Sequence, residues 1–429
     1  MKEFKLNDKI ELKVGGSVTI KKKLGEGGQG VVYLVELNSK EYALKWYSKP
    51  CEQAFYDNLD NNIKNGAPTN AFLWPQFLTV WIEKRFGYIM ALRPPEYKDF
   101  SHFLLAKVRF ASLSAMINAA LQISNAFREL HRKGYSYQDL NDGNFFIHPQ
   151  TGEVLICDND NVAPYGKNLG IAGKCRYMAP EVVLRKGLPN ANSDRFSLAV
   201  LLFMLLFNNH PLEGKLIAGV PCMTDENERR FYGSNPIFIF DTANDNNRPV
   251  MGIHTNAIRR WPIFPKFIQE AFIHAFSADC IHEPNKRNPE NEWQKLFIRL
   301  RDETVRCSCG GETFIDIDAP ESACINCGKK LGKPLLLSVG RSRVIMFPGQ
   351  KTYTCHTKSG NQDFRTETGV VIQNKKNPSL WGLRNLSADT WMCTMPDGTH
   401  KNILNNEIVP IFKGISLVFA GGMKGEIIE

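Results

Sequence analysis

From residue 20 to residue 45 apolar and polar positions alternate, the period of a strand with one buried face. Residues 31–36 and 42–46 are β-branched or aromatic runs separated by Asn38-Ser39, and a glycine-rich turn precedes them. Together they predict an antiparallel sheet. The period then changes. Between Ser112 and Lys133, Leu113, Met116, Ile117, Ala120, Leu121, Ile123, Ala126, Phe127 and Leu130 recur at helical spacing, with Gly134 as a C-terminal stop. Further helices are expected over 195–207, 266–276 and 293–305. Sheet first and helices afterwards predicts an α+β fold with segregated lobes. After Val305 paired cysteines appear, followed by short apolar strands broken by Gly, Pro, Asn and Asp as far as Glu429, the spacing of a sandwich or barrel.

The chain has 429 residues, too many for one ordinary core, so two or three domains are expected. With 43% hydrophobic and 23% charged residues the composition is that of a soluble globular protein. A formal charge of +9 is spread along the chain and does not select among nucleotide phosphates, acidic proteins and nucleic acid. Residues 1–23 mix lysines with acids and lack an apolar core, so no signal peptide is expected. The longest apolar run, 196–207, is well short of the ~20 residues a membrane span needs. Eleven cysteines, mostly scattered singly, argue for reduced thiols and a cytoplasmic location.

The chemistry is carried by a series of short motifs. Gly25-Glu26-Gly27-Gly28-Gln29-Gly30-Val31-Val32 reads G-x-G-x-x-G-x-V. A dinucleotide fold would place a helix after such glycines, whereas here a strand follows. Glycines between two strands let backbone amides fold over phosphates. The next strand ends in Tyr42-Ala43-Leu44-Lys45, which resembles the V-A-I-K element of protein kinases. Residues 135–144 place Asp139 and Asn144 at the spacing of H-R-D-L-x-x-x-N. Phosphoryl transfer needs a carboxylate to take the hydroxyl proton and an amide oxygen nearby to hold metal. Asp158-Asn159-Asp160 ends an apolar strand where a kinase has D-F-G, and a carboxylate there is costly unless a cation compensates it. Gly173-Lys174-Cys175-Arg176-Tyr177-Met178-Ala179-Pro180-Glu181 resembles G-T-x-x-Y-x-A-P-E, and Asp194-Arg195-Phe196-Ser197-Leu198 resembles D-x-x-S-L. Arg287 is placed to pair with Glu181. Taken singly, Asp139 reads as a turn residue, Asp194 as a helix cap and Arg287 as a surface charge. Their order and separations are what coincidence does not supply.

Over residues 18–302 the chain therefore resembles eukaryotic-like, Hanks-type serine/threonine protein kinases. The resemblance implies a bilobal domain over residues 1–302, with an N-lobe to about residue 91 and a C-lobe from 92. It implies ATP and Mg²⁺ or Mn²⁺ as cofactors and a protein substrate, with no membrane or nucleic-acid partner. Catalytic roles fall on Asp139, Lys45, Asn144, Asp158 and Lys174, and metal binding on Asn144 and Asp158. Nucleotide contacts fall on Gly25, Gly27, Gly28, Gly30, Val32, Ala43, Lys45, Met90 and Leu92. A nucleotide-binding pseudokinase scaffold is the alternative, and a small-molecule kinase of similar fold is a third.

Several positions depart from the family pattern. Gln138 replaces the arginine that binds a phosphorylated activation loop, and residues 158–181 contain no Ser or Thr, only Tyr165 and Tyr177. An activation segment that needs no phosphorylation is expected. Asn141 stands where a phosphate-contacting lysine is usual and Lys174 where a threonine is usual, so the ammonium is expected to come from the activation segment. Asp160 replaces the glycine of D-F-G, either as a metal ligand or as a turn cap. The acidic partner of Lys45 is sought on the following helix among Glu52, Asp57 and Asp60, with separation favouring the latter two. Phe72-Leu73-Trp74-Pro75 reads as core.

Cys307-Ser308-Cys309 and Cys324-Ile325-Asn326-Cys327 form two knuckle-like turns suited to structural Zn²⁺, with Cys307, Cys309, Cys324 and Cys327 as ligands in a ribbon over 303–332. The first pair is one residue tighter than C-x-x-C. Residues 333–429 resemble a diverged forkhead-associated β-sandwich, chiefly through the G-x-x-L-x-F-x-G-like run from Gly414 to Gly421. The S-x-x-H loop that grips phosphothreonine is missing, so a docking or autoregulatory module is expected. The whole arrangement resembles bacterial TerY-P triad kinases, which implies a partner phosphatase and a von Willebrand-type protein.

Overall fold

The computed structural model describes residues 4–168, 173–319 and 321–429. An antiparallel six-stranded sheet opens the chain: β1 (Lys9–Glu11), β2 (Ser17–Glu26), β3 (Gly30–Leu37), β4 (Lys40–Tyr47), β5 (Phe77–Leu78) and β6 (Gly87–Ala91), in the order β1-β2-β3-β4-β6-β5. Asn38 and Ser39 both have positive φ, +51° and +61°, and close the β3–β4 hairpin with a two-residue turn whose twist matches the strands. Alternation then sorts the side chains. Leu44 and Ile89 pack with Ile20, Val31, Tyr33 and Val35 on one face. Ala43, Tyr47, Tyr88 and Met90 turn to the other, against Tyr56 and Leu59 of the helix α1 (Gln53–Asn65). Lys45, between Ala43 and Tyr47 in β4, belongs to this second face.

Helices follow. The long α2 (Leu113–Arg132) stops at Gly134, whose φ of +78° suits a residue without Cβ. The central α3 (Ala191–Phe207) is apolar all round and buried over most of its length. It starts four residues before the position expected from the sequence, because Asn190 caps it with a reciprocal box to Ser193. Helices α4 (Lys266–Ala275) and α5 (Glu290–Asp302) follow, with shorter helices of four to six residues between the long ones. The expectation that the last helix spans 293–305 is corrected at both ends. At its C-terminal end Thr304–Arg306 leaves the helix to pair with Glu312–Phe314.

By internal packing the chain divides into two units: Met1–Ala111 with Ala119–Arg260 and Glu270–Trp293, and Ser112–Asn118 with Trp261–Gln269 and Gln294–Glu429. In the second, two short hairpins around the cysteines precede a β-sandwich. Its larger sheet has six strands, in which Leu336–Val339 pairs with both Ser342–Ile345 and the last strand, Lys424–Ile428. Its smaller sheet contains Lys351–Tyr353, Glu367–Gln373, Trp381–Asn385 and Ile408–Pro410. Leu337, Val371, Leu383, Trp391, Leu417 and Phe419 fill the space between them. Leu417 and Phe419 are the apolar pair of the final sequence motif. Gly414 and Gly421, at φ +88° and +76°, make the turns on either side. The end of α5 is tied to this sandwich: Arg301 donates to the Phe364 carbonyl at 2.7 Å, and His356 lies 3.0 Å from Asp302.

In the first unit Arg287 is nearly inaccessible and meets Glu181 through two bonds of 2.7 and 2.8 Å. Glu181→Gln would leave that guanidinium buried without a counter-charge. The expected loss is about 3 kcal/mol of unfolding free energy, read as a lower urea midpoint with unchanged slope.

Candidate active site

Lys45 reaches across the second face of the sheet and is almost fully buried, at 5% exposure. An unpaired ammonium there would be untenable. Its Nζ lies 2.9 Å from Asp160 Oδ2, 3.3 Å from Asp158 Oδ1 and 3.0 Å from Gln29 Oε1. Asp160 is wholly inaccessible and also accepts from the hydroxyls of Tyr47 at 2.5 Å and Tyr88 at 3.4 Å. Burial opposes the charge on Lys45, but the adjacent carboxylates of Asp160 and Asp158 outweigh it and hold the ammonium well above its ordinary range.

This corrects the expectation that Asp57 or Asp60 pairs with Lys45. Asp60 binds Lys13 and Lys64 at 2.7 Å each, and Asp57 accepts from Gln53 at 2.9 Å. Glu52 stands at the N-terminal boundary of α1 and makes no side-chain cap bond. The polar residues that α1 sends inward are carboxamides: Asn58 and Asn62 both donate to the Val162 carbonyl at 2.9 Å. Nor does Asp160 cap a turn by hydrogen bond: its carboxylate accepts from a lysine and two tyrosines. Asn159, in the place of the D-F-G phenylalanine, is buried and donates to the carbonyls of Leu73 and Ile156 at 2.9 Å. Directional bonds thus fix the 158–162 turn. Asp158 itself has φ +52°, a left-handed conformation that a non-glycine residue adopts only when its surroundings over-determine it.

The catalytic-loop motif is held from below. Asp194 accepts from the backbone N–H groups of Tyr137 at 2.6 Å and Gln138 at 3.2 Å. His131 bridges Asp194 at 3.1 Å and Glu290 at 2.8 Å. Gln138 has φ +71°, and its amide donates to the Lys167 carbonyl at 2.6 Å. Asp139 comes next. Asn141 donates to its Oδ1 at 3.1 Å and Asn161 to its Oδ2 at 3.5 Å, while Asn144 donates to its backbone carbonyl at 2.9 Å. Burial pushes the Asp139 carboxyl above the ordinary range; donation from Asn141 and the charges of Lys174 and Lys45 oppose that push, and nearby Asp158 adds to it. A carboxylate raised in this way holds a proton more readily than an ordinary one. Lys174 Nζ sits 3.0 Å from Asn141 Oδ1 and 3.6 Å from Asp142.

Val32, Ala43, Met90 and Leu92 share one apolar cluster with Leu155 beneath them. Gly25 and Gly30 lie at facing ends of β2 and β3, and the Gly27 N–H bonds to the Gly30 carbonyl at 2.9 Å. A Cβ on Gly30 would stand 2.2 Å from the Trp46 carbonyl oxygen, so glycine is required there by β4. Gly25, Gly27 and Gly28 have open space instead. The donor set suits a divalent cation: an acidic oxygen on Asp158, and the side-chain carbonyl of Asn144, whose N–H₂ is turned to Asp139. Asn161 adds a buried amide oxygen without a hydrogen-bond partner.

The second unit holds the four cysteines. The sulfurs of Cys307, Cys309, Cys324 and Cys327 lie within 4.8 Å of one another, with Cys307–Cys327 and Cys309–Cys324 at 3.8 Å. A tetrahedron with Zn–S bonds of ~2.3 Å has edges of about 3.8 Å. Just past the shortened Cys307-x-Cys309 pair, Gly310 takes φ +86° and donates its N–H to the Cys307 carbonyl at 2.9 Å.

Residues 18–219 match the protein kinase domain family. The chain is 24% identical to protein kinase YegI of Escherichia coli K12 over 71% of this chain and 48% of that protein. It is 28% identical to rat protein kinase C delta type over 46% of this chain and 30% of that protein. A CBL-interacting serine/threonine-protein kinase 7 of Arabidopsis thaliana is 29% identical over 26% of this chain and 27% of that protein. The chain thus spans about half or less of the length of these relatives. Its first unit has the fold of a protein kinase domain, with a β-rich lobe and a helical lobe, and the chain as a whole is α+β. Among the described residues, no helix is long and apolar enough to cross a membrane.

Sequence reasoning placed Lys45, Asp139, Asn144, Asp158 and Lys174, and these lie together. It missed Gln29, Tyr47, Tyr88, Asn58, Asn62 and Asn161. The available signal was the run Asn159-Asp160-Asn161, three consecutive polar residues after a buried strand and all buried themselves.

The His131 contacts carry a pH dependence. Burial lowers its pKa, but Asp194 and Glu290 prevail and raise it from 6.5 to about 9. A folded-state value above the unfolded one stabilises fully below pH 6.5, and the gain is lost as pH rises through 9. The stability advantage of wild type over His131→Gln, from urea melts, is expected to be up to about 3 kcal/mol at pH 6, to shrink between pH 6.5 and 9, and to be nearly gone past pH 9.

Proposed function

We propose that the chain is an ATP-dependent protein kinase that transfers the γ-phosphoryl group to a serine or threonine hydroxyl of a protein. The observation that carries this reading is the meeting of Lys45, Asp158, Asn144 and Asp139 in one cleft beneath the glycine-rich hairpin. In it, Asp139 orients the hydroxyl and takes its proton, and Lys45 with the amides of the hairpin fixes the phosphates. Val32, Ala43, Met90 and Leu92 enclose the base. Asp158 and Asn144 hold Mg²⁺ or Mn²⁺, which when bound neutralises charge on the phosphate oxygens.

Lys174 supplies the positive charge that Asn141 cannot, an assignment supported by its 3.0 Å contact with that amide. Gln138 bonds directly to the Lys167 backbone in the activation segment, which supports a segment ordered without phosphate. The four thiolates form a closed structural Zn²⁺ site in a ribbon, and the sandwich is a forkhead-associated-like docking module for a protein partner. Bacterial signalling in the cytoplasm is the setting this architecture suits. The partner phosphatase and von Willebrand-type protein, and the TerY-P assignment with them, rest on the sequence resemblance alone.

Radiolabelled ATP with a generic protein substrate tests the enzymatic reading. Asp139→Asn is expected to lower turnover 10²-fold or more, on the order of what a general base contributes, and Lys174→Met is expected to lower it as well. The active wild type should carry no phosphate on residues 158–181 by mass spectrometry. Equal turnover in wild type and Asp139→Asn would refute the reading. For the metal, elemental analysis should find one zinc per chain, lost in Cys324→Ser together with a fall in thermal midpoint. A zinc-free wild type with the same midpoint would contradict the ribbon.

A further inference from the structure

We propose that Asp160, rather than an acid on α1, is the positioning residue for Lys45, and that α1 acts on the lysine only through the turn that carries Asp160. The proposal deepens the kinase reading above and rests on it. Lysine has a flexible four-carbon stem, so a phosphate-binding ammonium needs a second group to fix where its charge sits. On the sheet face where Lys45 lies, its carboxylate neighbours are Asp158 and Asp160. Asp158, with a side chain 39% exposed to the cleft, is assigned to the cation. Asp160 is inaccessible and has no opening through which to reach one.

The surroundings of Asp160 are built to aim it. Tyr47 and Tyr88 stand on β4 and β6 beside Lys45, and their hydroxyls donate to both carboxylate oxygens of Asp160, leaving Oδ2 directed at Nζ. The acids of α1 are directed elsewhere, to Lys13, Lys64 and Gln53. What α1 offers instead is a pair of amides, Asn58 and Asn62, that grip the Val162 carbonyl two residues after Asp160. Asn159 bonds the other side of the turn to the Leu73 carbonyl. Moving α1 therefore moves the turn, and the turn carries the carboxylate. Turning the whole 158–162 segment outward would take both carboxylates from a buried ammonium and unpair two phenols and three amides at once, which disfavours an inactive form made by flipping this segment.

The test compares wild type, Asp160→Asn, Lys45→Met and the double variant, measuring kcat and KM for ATP, and calorimetric affinities for ATP and for adenosine, which lacks phosphates. Asp160→Asn is expected to lower kcat/KM about 100-fold, the scale of a misplaced reacting group. It should lower ATP affinity while leaving adenosine affinity unchanged, and the double variant should be no worse than Lys45→Met, since one residue acts through the other. Multiplicative losses in the double variant, or an equal loss of adenosine binding, would overturn the proposal. Asp57→Asn and Asp60→Asn are expected to keep the wild-type ratio of ATP to adenosine affinity; a fall in either would also overturn it, and these variants decide the matter if Asp160→Asn fails to fold. Because the affinity ratio needs no turnover, a wild type that binds ATP without transferring phosphate would defeat the kinase reading while still reporting on Asp160.

Discussion

A lysine side chain buried to 5% exposure can keep its charge only beside an anion, and the source of that anion determines how the cleft is assembled. In this chain the anion is Asp160, two residues beyond Asp158, so both acids come from one short turn after the strand Val154–Ile156. The rest of the N-lobe is arranged around that fact. β4 and β6 present Lys45, Tyr47 and Tyr88 on the same face, and α1 closes over them with amides rather than a carboxylate. Gln29, at the tip of the glycine-rich hairpin, completes the ammonium's contacts from above.

The helical lobe supplies rigidity of a different kind. Asp194, near the start of the central α3, takes two backbone N–H groups of the catalytic loop, and His131 and Glu290 brace it from α2 and α5. Arg287 and Glu181 tie the close of the activation segment to the segment before α5. Each contact is buried, so each is strong when satisfied and costly when half-broken. The positive φ at Gln138 and Asp158 is the strain such a frame sustains. It sets Asp139 and Asp158 toward the same cleft, each just past the C-terminal end of a short strand.

Much of this was legible in the sequence because the motifs are local. The Gly25–Gly30 hairpin, the strand ending at Lys45 and the loop from Asp139 to Asn144 are each specified by neighbours a few residues apart. The long α2 and the apolar α3 announced themselves by period, and the four cysteines by type. The partner of Lys45 was not legible, because it lies 115 positions away and the choice between α1 and the turn depends on which face of α1 points inward. Separation favoured Asp57 and Asp60; packing gave the inner face to Asn58 and Asn62. The end of α5 was misplaced for a related reason. Thr304 and Val305 continue the helical run in sequence but are claimed by a strand pairing with residues 312–314.

The central claim is that Lys45, held by Asp160, and Asp158, left to a cation, serve one nucleotide pocket. An experimental structure of the chain with a non-hydrolysable ATP analogue and Mn²⁺ tests it most directly. The account predicts Asp160 still within about 3 Å of Lys45 Nζ, Gln29 displaced by a phosphate oxygen, and anomalous density for the cation between Asp158 and Asn144. A nucleotide bound elsewhere, or Lys45 paired with an acid of α1, would contradict it.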